Sequence, residues 1–171
     1  MKRREFLGAL GVAGVLPWTA PKEKSVKSNS SDKIEKLEKS KKEWREILPE
    51  DSYRVLFEEA TERAFTSPLN EEKRKGTFVC AACFLPLFQS EWKYDSGTGW
   101  PSFYQAIEGS LGTSTDFKLI YPRTEYHCAR CGGHQGHVFS DGPRPTGKRY
   151  CNNGVALRFV PEGEDLPELR R

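Results

Sequence analysis

The chain has 171 residues, enough for one domain of ordinary size with length to spare. Only 36% of residues are hydrophobic but 12% are aromatic, so a compact core has to be built on large rings. Residues 1–42 hold eleven Lys and Arg against five Asp and Glu, and the remainder holds sixteen against nineteen; this mildly acidic body argues against a nucleic-acid partner, which would need a clustered basic face.

Residues 1–20, "MKRREFLGALGVAGVLPWTA", read as an address. Arg3 and Arg4 precede Phe6-Leu7 and an apolar, glycine-broken run, the pattern of a twin-arginine export signal. The run is short of the ~20 residues of a membrane span. Ala20 suits the position before a cut, whereas Trp18 is poor for the small residue that should stand two before it. An uncleaved leader would be the chain's one membrane contact, and the expected location is periplasmic or cell envelope. Residues 21–40 are Lys, Ser and Glu with almost nothing to bury, and read as a disordered linker.

A folded domain is expected over 41–165, with 166–171 as a tail. Ser40 and Glu43 have capping-box spacing and predict a short helix, which Pro49 interrupts. Asp51 can cap a second helix in which Tyr53, Leu56, Phe57 and Ala60 share one face. After Gly76 come short strands between turns: "TFVC", "LPLF", "FKLIYP", "TEYHC", "HVF" and one long run, "RYCNNGVALRFV". The expected class is α+β, mainly β: two short N-terminal helices and an antiparallel β domain.

The five cysteines divide. Cys80-x-x-Cys83 and Cys128-x-x-Cys131 supply four thiolates with the bite that tetrahedral zinc accepts, in a closed and therefore structural site. Disulfides are the alternative in an exported protein. A thioredoxin-like redox pair lacks its βαβ surroundings. Cys151 is left over. It reads either as a small buried hydrophobe in a strand or as a nucleophile. On an unbroken strand Arg149, Cys151 and Asn153 would share a face, where a guanidinium would lower the thiol pKa. Upstream, "GHQGHVFSDGP" offers His134, His137 and Asp141 in a glycine-rich setting, as polar partners or as metal ligands; His127 reads as incidental. In "DSGTGWPSF", Trp100 and Phe103 supply aromatic surface on a loop freed by two glycines, suited either to the core or to holding a methyl group.

The stretches "TERAFTSPLN", "CAAC", "SGTGWPSF", "RTEYHCARCGGHQGHVFSDGPRPTGKRYCNN" and "ALRF" together resemble the type B methionine sulfoxide reductases, which act on the R epimer. The resemblance covers about residues 44–160 and excludes leader and linker. It implies a β-tent of two antiparallel sheets with one structural zinc on Cys80, Cys83, Cys128 and Cys131. It implies Cys151 as nucleophile, forming a sulfenic acid, and Trp100 on the substrate's S-methyl group with Phe103 nearby. His134, His137, Asp141, Arg149 and Asn153 would line the sulfoxide site, with an imidazolium, His137 before His134, as the acid. The implied partners are an oxidised protein or peptide and an external thiol or thioredoxin-like reductant, and a monomer is expected.

Four positions depart from the family pattern. Thr98 stands where many relatives have a resolving cysteine, so no internal disulfide is expected. Asn152 replaces the usual aliphatic after the nucleophile, Gly154 a common serine, and Phe84 a knuckle glycine. Two rivals from other classes remain at this point. A zinc-stapled binding module leaves Cys151, the histidines and Trp100 unused, and a thiol-based peroxide sensor needs no methyl-binding indole.

Overall fold

The computed structural model describes residues 34–117 and 122–171. The leader, the linker as far as Lys33, and most of "FKLIYP" lie outside the described residues. Helix α1 spans Lys41–Ile47 and has the expected capping box, with the Ser40 hydroxyl accepting from Glu43 N–H and the Glu43 carboxylate accepting from Ser40 N–H. Helix α2 spans Glu50–Glu58. Its N-cap is Pro49, so Asp51 lies inside the first turn, favourable to the helix dipole but not the cap. The helix ends at Glu59 in the left-handed region, before Ala60, which releases "TERAF" into a loop. The linker boundary also moves: Ile34 and Leu37 pack against the core, and Leu37 N–H donates to Arg130 O at 2.7 Å.

Among the described residues nine strands follow: β1 (Gly76–Cys80), β2 (Pro86–Gln89), β3 (Lys93–Tyr94), β4 (Ser102–Phe103), β5 (Leu111–Asp116), β6 (Arg123–Cys128), β7 (His134–Phe139), β8 (Arg149–Asn152) and β9 (Leu157–Pro161). They form a three-stranded sheet, β2-β1-β9, and a six-stranded sheet, β3-β4-β8-β7-β6-β5. Each pairing is antiparallel. The long run expected from Arg149 to Val160 is broken by a 3-10 turn at Gly154–Ala156, which carries the chain from the large sheet to the small one. β5, missed because "LGTSTD" is rich in small polar residues, is an edge strand with three exposed positions. Such a strand shows no alternation of apolar residues. No helix among the described residues is long and apolar enough to cross a membrane.

Rings from both sheets close the core. Phe88 of the small sheet stacks on Phe103 of the large one, centroids 4.2 Å apart, and Phe78 meets Phe103 edge-on at 5.0 Å. Tyr126 and Tyr150 extend the cluster, also edge-on, at 5.4 Å. Interlocked aromatics supply the buried area that a sparse aliphatic content withholds. Phe103 is 0% exposed and belongs to this cluster, which corrects the expectation that it touches substrate. Phe103→Ala is therefore expected to cost about 3–5 kcal/mol in denaturant unfolding. Phe103→Leu should keep near-normal affinity for substrate at a lowered Tm; a selective rise in KM would contradict the core role.

Candidate active site

The two cysteine knuckles lie at corresponding turns of different sheets, the first joining β1 to β2 and the second joining β6 to β7. Their local geometry matches. Phe84 N–H donates to Cys80 O and Gly132 N–H to Cys128 O, both at 2.9 Å, with φ of 65° at Phe84 and 72° at Gly132. Phe84 thus takes up the left-handed conformation that favours glycine. The Arg170 guanidinium lies 4.6 Å from its ring centroid. The sulfurs of Cys80 and Cys131 are 3.7 Å apart, those of Cys83 and Cys128 3.5 Å, and all four ligand atoms lie within 4.8 Å of one another. A Zn–S bond of about 2.3 Å in a tetrahedron sets neighbouring sulfurs about 3.8 Å apart, whereas a disulfide needs about 2.05 Å. The cluster can therefore hold one zinc ion, and it is not disulfide-bonded. Neither His134 nor His137 belongs to it.

Cys151 sits on β8 between two partners: His137 of β7 is directly opposite on one side and Ser102 of β4 on the other. Directly opposed residues of an antiparallel pair project to one face. Gly136 makes this approach possible, because a Cβ there would collide with the Cys151 carbonyl. β6 and β7 shift register between Tyr126 and His127, which leaves Gln135 as an extra, bulged residue in β7. Without the bulge, His134 and His137, at odd spacing, would face opposite sides; with it, their rings meet at 5.5 Å.

Each imidazole has a carboxylate partner that the sequence reading did not assign. His137 Nε2 is 2.7 Å from Asp116 Oδ2, which also accepts from Arg123 at 2.6 Å, and His134 Nδ1 is 2.6 Å from Glu125 Oε1. Asp116 ends the unpredicted strand β5, so nothing local signalled it. Glu125 lay inside a quoted motif, and only its cross-strand pairing with His137 brings it to the site. Burial holds the His137 pKa below the ordinary histidine value, against the pull of its Asp116 hydrogen bond. That direction favours the neutral ring over the imidazolium of the sequence reading.

A cavity of about 120 Å³ opens here, lined by Thr61, Trp100, Arg123, Gly136, His137, Phe139, Cys151, Asn152 and Asn153. It is smaller than the ~300–1,000 Å³ of sites for drug-sized ligands and suits the end of one side chain. Trp100 N–H donates to Glu62 O at 2.9 Å, which fixes the indole. Glu62 organises the rest of this wall. Its N–H donates to Asn153 Oδ1 at 2.9 Å, and its carboxylate accepts from Gly154 N–H at 2.5 Å. Glu62 stood in the quoted "TERAF" stretch, but these partners lie between 38 and 92 positions away in the chain.

Of the expected residues, the cavity gathers Cys151, His137, Trp100 and Asn153. Asn153 lies past the end of β8, and its amide is engaged with Glu62 N–H and, at 3.0 Å, with Gln135 O. The expected face of Arg149, Cys151 and Asn153 thus loses its last member. Arg149 and Asp141 do not line the cavity; they pair with each other through two contacts of 2.9 Å, and Arg149 lies over the Phe139 ring at 4.3 Å. Arg149 does favour the thiolate, as does Thr98, whose hydroxyl is 4.0 Å from the sulfur. Burial outweighs both, and the Cys151 pKa is raised, not lowered.

A model of the SelR domain matches residues 48–161. Proteins called peptide methionine sulfoxide reductase MsrB are similar over most of their length. That of Leptospira interrogans is 50% identical over 124 residues, which is 72% of this chain and 95% of the relative. That of Methanosarcina barkeri is 49% identical, covering 73% of this chain and 89% of the relative. For the Pseudomonas putida protein the figures are 53%, 70% and 90%. The chain belongs to this SelR family, that of the type B methionine sulfoxide reductases.

Because burial raises the Cys151 thiol, iodoacetamide alkylation of the full-length protein should keep accelerating from pH 7 to beyond pH 9. Thr98→Val, which removes a contact favouring the anion, should move this rise to higher pH. A rate that levels off near neutrality would contradict the assignment.

Proposed function

We propose that the protein reduces the R epimer of peptide-bound methionine sulfoxide to methionine, with Cys151 as its one nucleophile. The observation that carries this reading is the cross-strand pair of Cys151 and His137 on a cavity sized for a side-chain end and walled by an anchored indole. The small cavity admits the sulfoxide and its methyl group against Trp100 and leaves the peptide outside.

The protonation states suit a reaction that needs a single proton. A neutral thiol and a neutral imidazole hold the one that must be moved. The Cys151 proton passes to His137, whose imidazolium Asp116 stabilises, and the thiolate attacks the sulfoxide sulfur, forming an S–S bond that breaks again as oxygen moves to Cys151. The S–O bond of the substrate breaks as oxygen is transferred to Cys151 and takes up that proton. Cysteine sulfur loses two electrons, substrate sulfur gains them, and the products are methionine and Cys151 sulfenic acid. Two equivalents of an external thiol then return the cysteine to thiol and release a disulfide and water, since the other four sulfurs are grouped in the metal cluster. Asn153, held by Glu62 and Gln135, shapes the cavity wall; Arg149, paired with Asp141, favours the thiolate through space. His134, backed by Glu125, supports the His137 ring. Zinc, when bound by Cys80, Cys83, Cys128 and Cys131, supplies structural cross-linking.

With dithiothreitol, the wild-type protein should reduce a methionine-R-sulfoxide peptide and leave the S epimer. Cys151→Ser should abolish turnover with zinc content unchanged; loss of both together would refute the separation of the two sulfur roles.

The leader supports a place in the cell envelope, reached through twin-arginine export, a route that admits a folded, metal-loaded domain. Replacing Arg3 and Arg4 by lysine should hold the protein in the cytoplasm on cell fractionation. Unchanged distribution would overturn the export reading.

A further inference from the structure

Gln135 has no part in the reaction above, yet its side chain is 0% exposed and both ends of its amide are engaged. Nε2 donates to Cys80 Sγ at 3.4 Å, and Oε1 accepts from Asn152 Nδ2 at 3.4 Å. Its backbone carbonyl accepts from Asn153 twice, from N–H at 2.9 Å and from Nδ2 at 3.0 Å. Asn152, likewise 0% exposed, accepts at Oδ1 from the Tyr126 hydroxyl at 2.8 Å and donates to Asn153 O at 2.7 Å. Asn152 adjoins Cys151, and both asparagines line the cavity. A continuous run of buried amides therefore leads from a sulfur of the four-cysteine cluster to the wall of the reaction cavity. Its first member is the bulged residue of β7.

We propose that Gln135 is a positioning residue that makes the geometry of the reaction cavity depend on metal binding at the four cysteines. A Cys80 sulfur fixed in place by a bound cation keeps its 3.4 Å contact with Gln135 Nε2 and so holds the amide. If that acceptor is lost, a buried amide has to find another partner, and the groups nearest to Gln135 are Asn152 and Asn153. Their displacement moves the cavity wall beside Cys151. If Gln135 merely filled space, Asn152 would have no influence on the metal, since it contacts none of the four sulfurs. Coupling requires that it does.

The idea rests on the reductase reading only for the meaning of the cavity. The test is chelator competition on zinc-loaded, full-length protein with no substrate present, so a failure of the coupling is distinguishable from a failure of the reaction. Gln135→Met is expected to weaken zinc binding about 10–100-fold. Asn152→Val, remote from the sulfurs, is expected to weaken it roughly threefold or more. In the double variant Asn152→Val should add nothing to Gln135→Met, because the relay is already cut. At saturating zinc, Gln135→Met should lower kcat severalfold with KM little changed. Wild-type zinc affinity in Asn152→Val, or additive losses in the double variant, would overturn the proposal. Should Asn152→Val fail to fold, Tyr126→Phe replaces it: it removes the hydroxyl bound to Asn152 and keeps the ring, and wild-type zinc affinity there would count against the coupling equally.

Discussion

Two turns that belong to different sheets meet sulfur to sulfur, and the arrangement of the domain depends on that meeting. The first knuckle ends β1 and the second ends β6, so the four cysteines join the small sheet to the large one. Four thiolates packed this closely repel each other unless a cation lies among them. A zinc ion converts the repulsion into cross-linking across a long stretch of chain, where closure removes the most freedom from the unfolded state. The interlocked rings of Phe78, Phe88 and Phe103 reinforce the same junction from the other side of the core.

The reaction centre depends on a smaller irregularity, the single extra residue in β7. It turns His134 and His137 to one side and sends Gln135 into the interior, toward Cys80. One insertion in a ladder thus divides three neighbouring polar side chains between two sites. Burial disfavours the charged form of both the imidazole beside Cys151 and the thiol itself. Enclosure keeps the pair's charge low until a substrate with a basic oxygen arrives. Asp116, shared between His137 and Arg123, is placed where it would stabilise a cationic ring.

Opposite the strands, a loop without regular structure holds the other wall. Glu62 engages Trp100, Asn153 and Gly154 through its backbone carbonyl, backbone amide and carboxylate respectively. Gly154 is required there by close approach as well, since a Cβ would run into the Ser67 side chain. The glycine at this position therefore reflects how tightly the loop after α2 lies against the turn following the nucleophile. Asn152 has a comparable explanation: it is a fully partnered amide within a buried network.

The family, the four-sulfur site and the separateness of Cys151 from it were legible along the chain, because knuckle spacing, paired glycines and the "GTGWPSF" and "RYCNN" stretches are local patterns. So was the capping box at Ser40, whose two hydrogen bonds close within four residues. The carboxylates behind the histidines, the core position of Phe103, the break after Asn152 and the links made by Glu62 and Gln135 were not. Each of these depends on a partner from another strand or loop, and on a register that one bulged residue can change. Short-range pattern decided which atoms can react or bind metal; burial and cross-strand register, which exist only after folding, decided their protonation and which of them face each other.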